Sequence, residues 1–215
     1  MPLPKIEGLA TGGTAGPAHP GFCLDDLSGR LVELAGGADT AVLTLVTGVL
    51  LEAQLRGEPV AWVATGATTF FPPDLAASGI DLAALPVIQV EKGLPVLRAA
   101  DALLRSGSFG VVVLDLGEQV SMTLAVQTRL VGLARRFATA LIALTRSRNH
   151  PQRTRGPRSQ SRANSLGSLV SLRAACTHRR TDFDRFTCEL HALKDKRRGP
   201  GWRHTEVCRG PNGLC

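Results

Sequence analysis

No apolar run in this chain of 215 residues reaches the roughly 20 residues that a membrane-spanning helix needs, and its start lacks an export signal's basic-then-apolar pattern. A cytoplasmic protein with no membrane association is therefore expected. The five cysteines, Cys23, Cys176, Cys188, Cys208 and Cys215, are odd in number, widely spaced and free of any C-x-x-C pair. That argues against a disulfide framework and for a reducing compartment. His178 and His191 lie near Cys176 and Cys188 in sequence, but the spacing fits no zinc pattern, so neither metal nor cofactor is expected. Internal repeats are absent as well. Aromatic residues make up 4% of the chain, and the most basic stretch, 146–165, has none, which excludes base stacking there.

What is present is enough for one core: 44% hydrophobic residues in a length that suits one domain. Charge is distributed unevenly. Residues 1–145 carry 9 Lys/Arg against 13 Asp/Glu, a balance of −4, whereas residues 146–215 carry 16 against 5, a balance of +11. A basic C-terminal part on a mildly acidic body suits a polyanionic partner, nucleic acid first, or serves only as a solubilising tail.

Residues 1–21, rich in Gly, Pro, Thr and Ala, read as a flexible arm before a core domain over 22–215. The patterning of the core predicts strands at Leu31–Ala35, Val60–Ala64, Val87–Val90, Gly110–Leu116 and Ala138–Leu144. Helices are predicted at Thr40–Arg56, Pro72–Ala77, Leu94–Arg105 and Met122–Arg136. Continuous apolar strands alternating with helices imply an α/β fold with a mainly parallel sheet covered on both faces. Residues 146–165 interrupt the pattern with six arginines, two prolines and nothing to bury, and should form a mobile basic loop. Ser168–Ala174, Arg185–Leu193 and His204–Arg209 then read as strands closing the sheet, with 194–201 as a basic hairpin loop between the last two.

The most telling stretch is residues 36–43, Gly-Gly-Ala-Asp-Thr-Ala-Val-Leu, between the first strand and first helix. A phosphate-binding loop of the form G-x-x-x-x-G-K-[ST] starting at Gly36 requires Gly, Lys and Ser/Thr at the positions held by Ala41, Val42 and Leu43. Val42 offers no charge to phosphate and Leu43 no hydroxyl to Mg²⁺. Two lost charge-assisted contacts of about 1.5–3 kcal/mol each amount to roughly 10²–10⁴-fold in affinity. The alternative is a plain strand-to-helix turn with no history of phosphate binding.

The order of these pieces resembles the RecA recombinase core, and within it the ImuA group of bacterial RecA-like proteins linked to SOS mutagenesis. Gly29-Arg30-Leu31-Val32-Glu33-Leu34 is similar to the family's strand before the phosphate loop, and Gly79-Ile80-Asp81-Leu82-Ala83-Ala84-Leu85 to its G-[VI]-D-x-x-x-L segment. Val111-Val112-Val113-Leu114-Asp115 resembles the Walker B strand, and Leu190-His191-Ala192-Leu193-Lys194-Asp195-Lys196 the strand ending V-K-N-K. The resemblance implies a RecA-like core, with the family's water-activating Glu falling on Gly66 and its metal-positioning carboxylate on Asp115. Asp115 reads equally as a carboxylate capping a buried strand. With the nucleotide site at Gly36, Ala41, Val42, Leu43, Gly66 and Asp115 degenerate, no ATP hydrolysis is expected, since phosphoryl transfer needs these parts together.

By the same resemblance, the basic stretch with Arg146, Arg148, Arg153, Arg155, Arg158 and Arg162 falls on the family's second DNA-binding loop. It implies sequence-independent, salt-sensitive contact with single-stranded DNA, or a loop that only solubilises. The first DNA loop is nearly absent, being reduced to residues 117–121. Lys194 and Lys196, with Arg197 and Arg198 beside them, occupy positions from which the family reaches its neighbour's ATP. They imply an interface with RecA, or read as a solvated basic turn. The function implied is a non-enzymatic accessory in the SOS response and translesion synthesis. It would bind RecA or DNA, restrain recombination and work beside an ImuB-like polymerase partner. A divergent ATP-dependent recombinase and a polymerase-bridging scaffold without DNA binding are the alternatives.

Overall fold

The computed structural model describes residues 22–36, 41–66, 70–117, 122–146, 166–180 and 185–209; residues 1–21, where an arm is expected, and most of the basic stretch lie outside them. In chain order the elements are α1 (Leu24–Leu27), β1 (Leu31–Gly36), α2 (Ala41–Leu55), β2 (Val60–Thr65), α3 (Pro72–Ala77), a 3₁₀ turn (Leu82–Ala84), β3 (Val87–Val90) and α4 (Leu94–Ser106). There follow β4 (Val111–Gly117), α5 (Leu124–Arg136), β5 (Ala140–Arg146), β6 (Leu172–Arg180), β7 (Arg185–Asp195) and β8 (Arg203–Arg209).

The strands form one sheet in the order β3-β2-β4-β5-β1-β6-β7-β8. The first six are parallel, while β7 and β8 extend the sheet antiparallel. Alternate side chains of each inner strand enter two separate cores. Val32, Leu34, Trp62 and Val113 face α1, α2 and α3, whereas Leu31, Val63, Val112 and Leu114 face α4 and α5. A strand buried on both faces must be apolar at every position, and this is why these strands read as uninterrupted hydrophobic runs. Helix α2 is apolar nearly all round because it lies over β1, β6, β7 and β2, with Leu45, Leu50 and Ala53 buried beneath it.

Three sequence boundaries shift for local physical reasons. Helix α5 begins at Leu124, not Met122, because the Thr123 hydroxyl accepts from the Val126 N–H and caps it. Strand β5 begins at Ala140, not Ala138, because Ala138 adopts φ +54° and ends the preceding helix. The strand expected at Ser168–Ala174 lies instead at Leu172–Arg180, where its polar second half is held by the ladder to β7. Coverage of both faces also stops short of the antiparallel extension. Cys176, Cys188 and Leu190 pack under α2, but Leu193 and Val207 on the other face are exposed by 41% and 68%.

Candidate functional site

The candidate residues lie at two opposite edges of the sheet, one at each end of its parallel strands. All six parallel strands run toward one edge, where β1 ends at Gly36. Strand β7 runs against them, so its last residues, Lys194 and Asp195, pair with Arg173 and Leu172 near the start of β6. Along β1 the separation of the two edges is roughly 17–20 Å at the usual rise per residue.

At the Gly36 edge, residues 37–40 between β1 and α2 lie outside the described residues. Gly36 is buried at the end of β1, and α2 starts at Ala41. Ala41 and Val42 are 1% and 8% exposed and belong to the core beneath α2, and Leu43 is half-buried against the same core. These positions are used for packing. Asp115 is 2% exposed, pairs in register with Ala64 and Leu144, and sits beside a bulge between Asp115 and Gly117. Its backbone carbonyl accepts from the Thr65 hydroxyl at 3.2 Å, which joins the ends of β2 and β4. Gly66 follows β2 directly and is exposed, with open space where a side chain would begin. Arg146 pairs with Gly36 across β1 and β5, which places the first arginine of the basic stretch beside the end of β1. Arg148, Arg153, Arg155, Arg158 and Arg162 lie outside the described residues. At the same edge a cavity of about 320 Å³ between β6 and β7 is lined by Thr177, Arg179, Arg180, Thr187 and Glu189.

The opposite edge is built around two buried ion pairs that sequence patterning did not reveal. Arg30 meets Asp195 at 2.5 Å, with side chains 4% and 1% exposed. Arg30 also donates to the Ser171 hydroxyl at 2.9 Å and to the Asp26 carbonyl at 3.1 Å. Asp195 accepts further from the Arg197 N–H at 2.8 Å and the Trp202 indole at 3.1 Å. Burial opposes ionisation of Asp195, but the Arg197 N–H, the Arg30 charge and the indole outweigh it and hold its carboxyl below the ordinary range. One residue pair over, Glu33 is 1% exposed and accepts from Arg173 at 2.7 Å and from the Leu166 N–H at 3.3 Å. Both pairs join the Gly29–Leu34 motif to the last strands. The individual residues were visible in the sequence, but partners 165 and 140 residues apart were not.

This polar hub fixes the basic residues. Lys194 and Asp195 belong to β7, so the expected hairpin loop over 194–201 is shorter and begins at Lys196. Strand pairing to Arg173 and Leu172 carries β7 that far. Lys194 is half-buried and donates to the Ser168 carbonyl at 2.7 Å, while exposed Lys196 donates to the Leu169 carbonyl at 3.4 Å. Burial, then the nearby charges of Lys196 and Arg173, pulls the Lys194 ammonium below its usual value. Arg197 donates to the Asp26 and Ser28 carbonyls at 3.0 and 3.2 Å, and Arg198 pairs with Asp26 and lies over the Trp202 ring. The turn is held against α1, with both lysines directed to the segment preceding β6.

Among the described residues no cluster of three or more His, Cys, Asp or Glu is arranged to hold a metal ion. Among them, too, no helix is long and apolar enough to cross a membrane.

No protein-family model matches the chain. Among curated proteins it is similar to Protein RecA of Fusobacterium nucleatum subsp. nucleatum, with 28% identity over 148 residues covering 60% of this chain and 39% of that protein. Protein RecA of Clostridium acetobutylicum is 32% identical over 126 residues, covering 53% and 36%. The match thus spans little more than a third of these relatives' length. Among solved structures, a KaiC-like protein of the archaeon Pyrococcus horikoshii OT3 superposes with a TM-score of 0.54 at 15% identity, covering 86% of this chain and 90% of that one. The chain has a RecA-like core, with a mainly parallel sheet flanked by helices and antiparallel strands at its C-terminal end.

Proposed function

We propose that this protein is a RecA-like accessory of the ImuA type that neither binds nor hydrolyses ATP and that acts on RecA, on single-stranded DNA, or on both. It restrains homologous recombination during the SOS response and favours translesion synthesis beside an ImuB-like polymerase partner. The observation that carries this reading is the use of Ala41 and Val42 as core residues at the start of α2, where nucleotide chemistry needs glycine and lysine. Gly66 at the position of the water-activating carboxylate supports the same reading, because Asp115 alone has no phosphate held opposite it.

The two edges suggest the mode of action. The Gly36 edge lacks the groups that grip ATP, so it presents nothing through which a following subunit is held. The far edge carries Lys194 and Lys196 on a rigid base. Head-to-tail assembly with one competent face caps a filament end. Each lysine meeting phosphate in a protein-shielded seam contributes about 1–3 kcal/mol, so losing both lowers docking roughly 30- to 10⁴-fold. Arg146 and the arginines beyond it supply a separate electrostatic contact with the DNA backbone.

The test measures RecA strand exchange with substoichiometric protein. Wild type is expected to slow it and the Lys194→Ala/Lys196→Ala variant to do so poorly, with circular dichroism confirming that both are folded. Equal inhibition by the double variant defeats docking through this turn. Inhibition seen only at DNA-saturating amounts points to competition for single strands instead.

A further inference from the structure

We infer that Cys188 and Cys208 form an oxidation site for hydroperoxides, at which the two thiols close into a reversible disulfide between β7 and β8. Both residues lie on the sheet face beneath α2 and pack in the same core. The register pairs Phe186 with Cys208 and Cys188 with Glu206, so the two sulfurs are diagonal neighbours across adjacent strands. An S–H···S contact between them ties their titrations together. The Cys208 thiol, and after it the Thr44 hydroxyl of α2, hold Cys188 down to about 7, against the opposing effects of burial and of Glu206. Cys208 is pushed up by the same hydrogen bond. The first proton of the pair therefore leaves more readily than that of an isolated thiol. Access distinguishes the partners, for Cys188 is 2% exposed whereas Cys208 is half-buried on the outermost strand.

The chemistry follows from that difference. As the Cys208 sulfur attacks one oxygen of the hydroperoxide, its proton passes along the S–H···S bond to Cys188. The O–O bond breaks, leaving Cys208 as sulfenic acid and releasing hydroxide, which takes the proton back from Cys188 as water. The restored Cys188 thiolate then attacks the Cys208 sulfur and expels hydroxide. Two sulfurs are each oxidised by one electron and the two peroxide oxygens are reduced.

Diagonal positions in an antiparallel pair have Cα atoms about 7–8 Å apart, just beyond the usual disulfide range of about 4.4–6.8 Å. Closure therefore draws β8 inward by about an ångström. That strand can follow, since it pairs only with β7 and has no strand on its other side among the described residues. Cys176, the third thiol beneath α2, is not part of the pair. Burial pushes it up to about 12, which keeps it protonated and unreactive. The ring closed by Cys188 and Cys208 contains the Lys194–Arg198 turn, but the thiol chemistry stands whether or not that turn docks on RecA.

The test treats the reduced full chain with hydrogen peroxide and follows intact mass, non-reducing peptide maps and trapping with dimedone. Expected are a loss of about 2 Da reversed by dithiothreitol, a linked Cys188–Cys208 peptide pair, and the same link in Cys176→Ser. Cys188→Ser, which lacks the proton acceptor, should form no link and trap dimedone at Cys208 only slowly, whereas Cys208→Ser should leave Cys188 unlabelled. Unmodified cysteines in peroxide-treated wild type overturn the proposal. So does a link from either residue to Cys23, Cys176 or Cys215, or labelling of Cys188 ahead of Cys208. Mass and peptide mapping of wild type decide the matter even if a serine variant folds poorly.

Discussion

Replacing Asp195 with alanine removes the charge that balances a guanidinium in the protein interior. In the folded protein Arg30 meets Asp195 at 2.5 Å, with both side chains at most 4% exposed. After the change Arg30 keeps only neutral acceptors, namely the Ser171 hydroxyl and carbonyl and the Asp26 carbonyl. The Arg197 N–H and the Trp202 indole lose their acceptor as well. Removing one partner of a buried pair costs about 3–5 kcal/mol, a large share of the 5–15 kcal/mol typical of a whole domain. Urea denaturation followed by far-ultraviolet circular dichroism should show the midpoint falling by roughly 1–3 M at ordinary slopes. The double variant Arg30→Met/Asp195→Leu, which removes both charges and fills the space, should recover most of the loss. A loss below about 1 kcal/mol for Asp195→Ala, or a double variant no more stable than the single one, would refute the reasoning.

Four further outcomes are expected. Calorimetry should detect no binding of ATP or ADP in the micromolar range, and Mg²⁺-dependent hydrolysis by the purified chain would overturn that. Changing Arg148, Arg153, Arg155 and Arg158 to Ala should weaken single-strand binding and flatten its salt dependence by up to about four charges; an unchanged slope moves the contact to Arg179 and Arg180. Gly107→Ala should destabilise by about 1–3 kcal/mol in thermal melts, because Gly107 has φ +68° and a Cβ there would meet the Phe137 ring at 2.7 Å; unchanged stability would mean that the ring yields freely. A depressed carboxyl contributes stability that is present above its unfolded value of 3.8 and lost as pH falls through the lower folded value; below about pH 4 Asp195→Asn should therefore lose less stability than wild type does, and identical acid limbs would contradict the assignment.

The sequence by itself determined the central layer. Residues 111–116 and 60–64 are apolar at every position because strands buried on both faces have no room for alternation, and β2, β3, α3 and α4 lie within a residue of where that pattern puts them. It also determined what residues 36–43 lack, since the absence of lysine and hydroxyl at Val42 and Leu43 is a matter of composition alone. The C-terminal third was less legible. Strand β6 runs to Arg180 through Thr177, His178 and Arg179, polar residues held in a strand by the ladder to β7, a long-range cause with no periodic signature. Only the tertiary structure decided that Val42 belongs to the core, that Lys194 ends a strand, and that Arg30 and Glu33 find their countercharges in Asp195 and Arg173. A buried charge requires a partner, but sequence does not say which one. The pairing of β1 with β6, and of β6 with β7, brings residues more than a hundred positions apart within hydrogen-bonding distance.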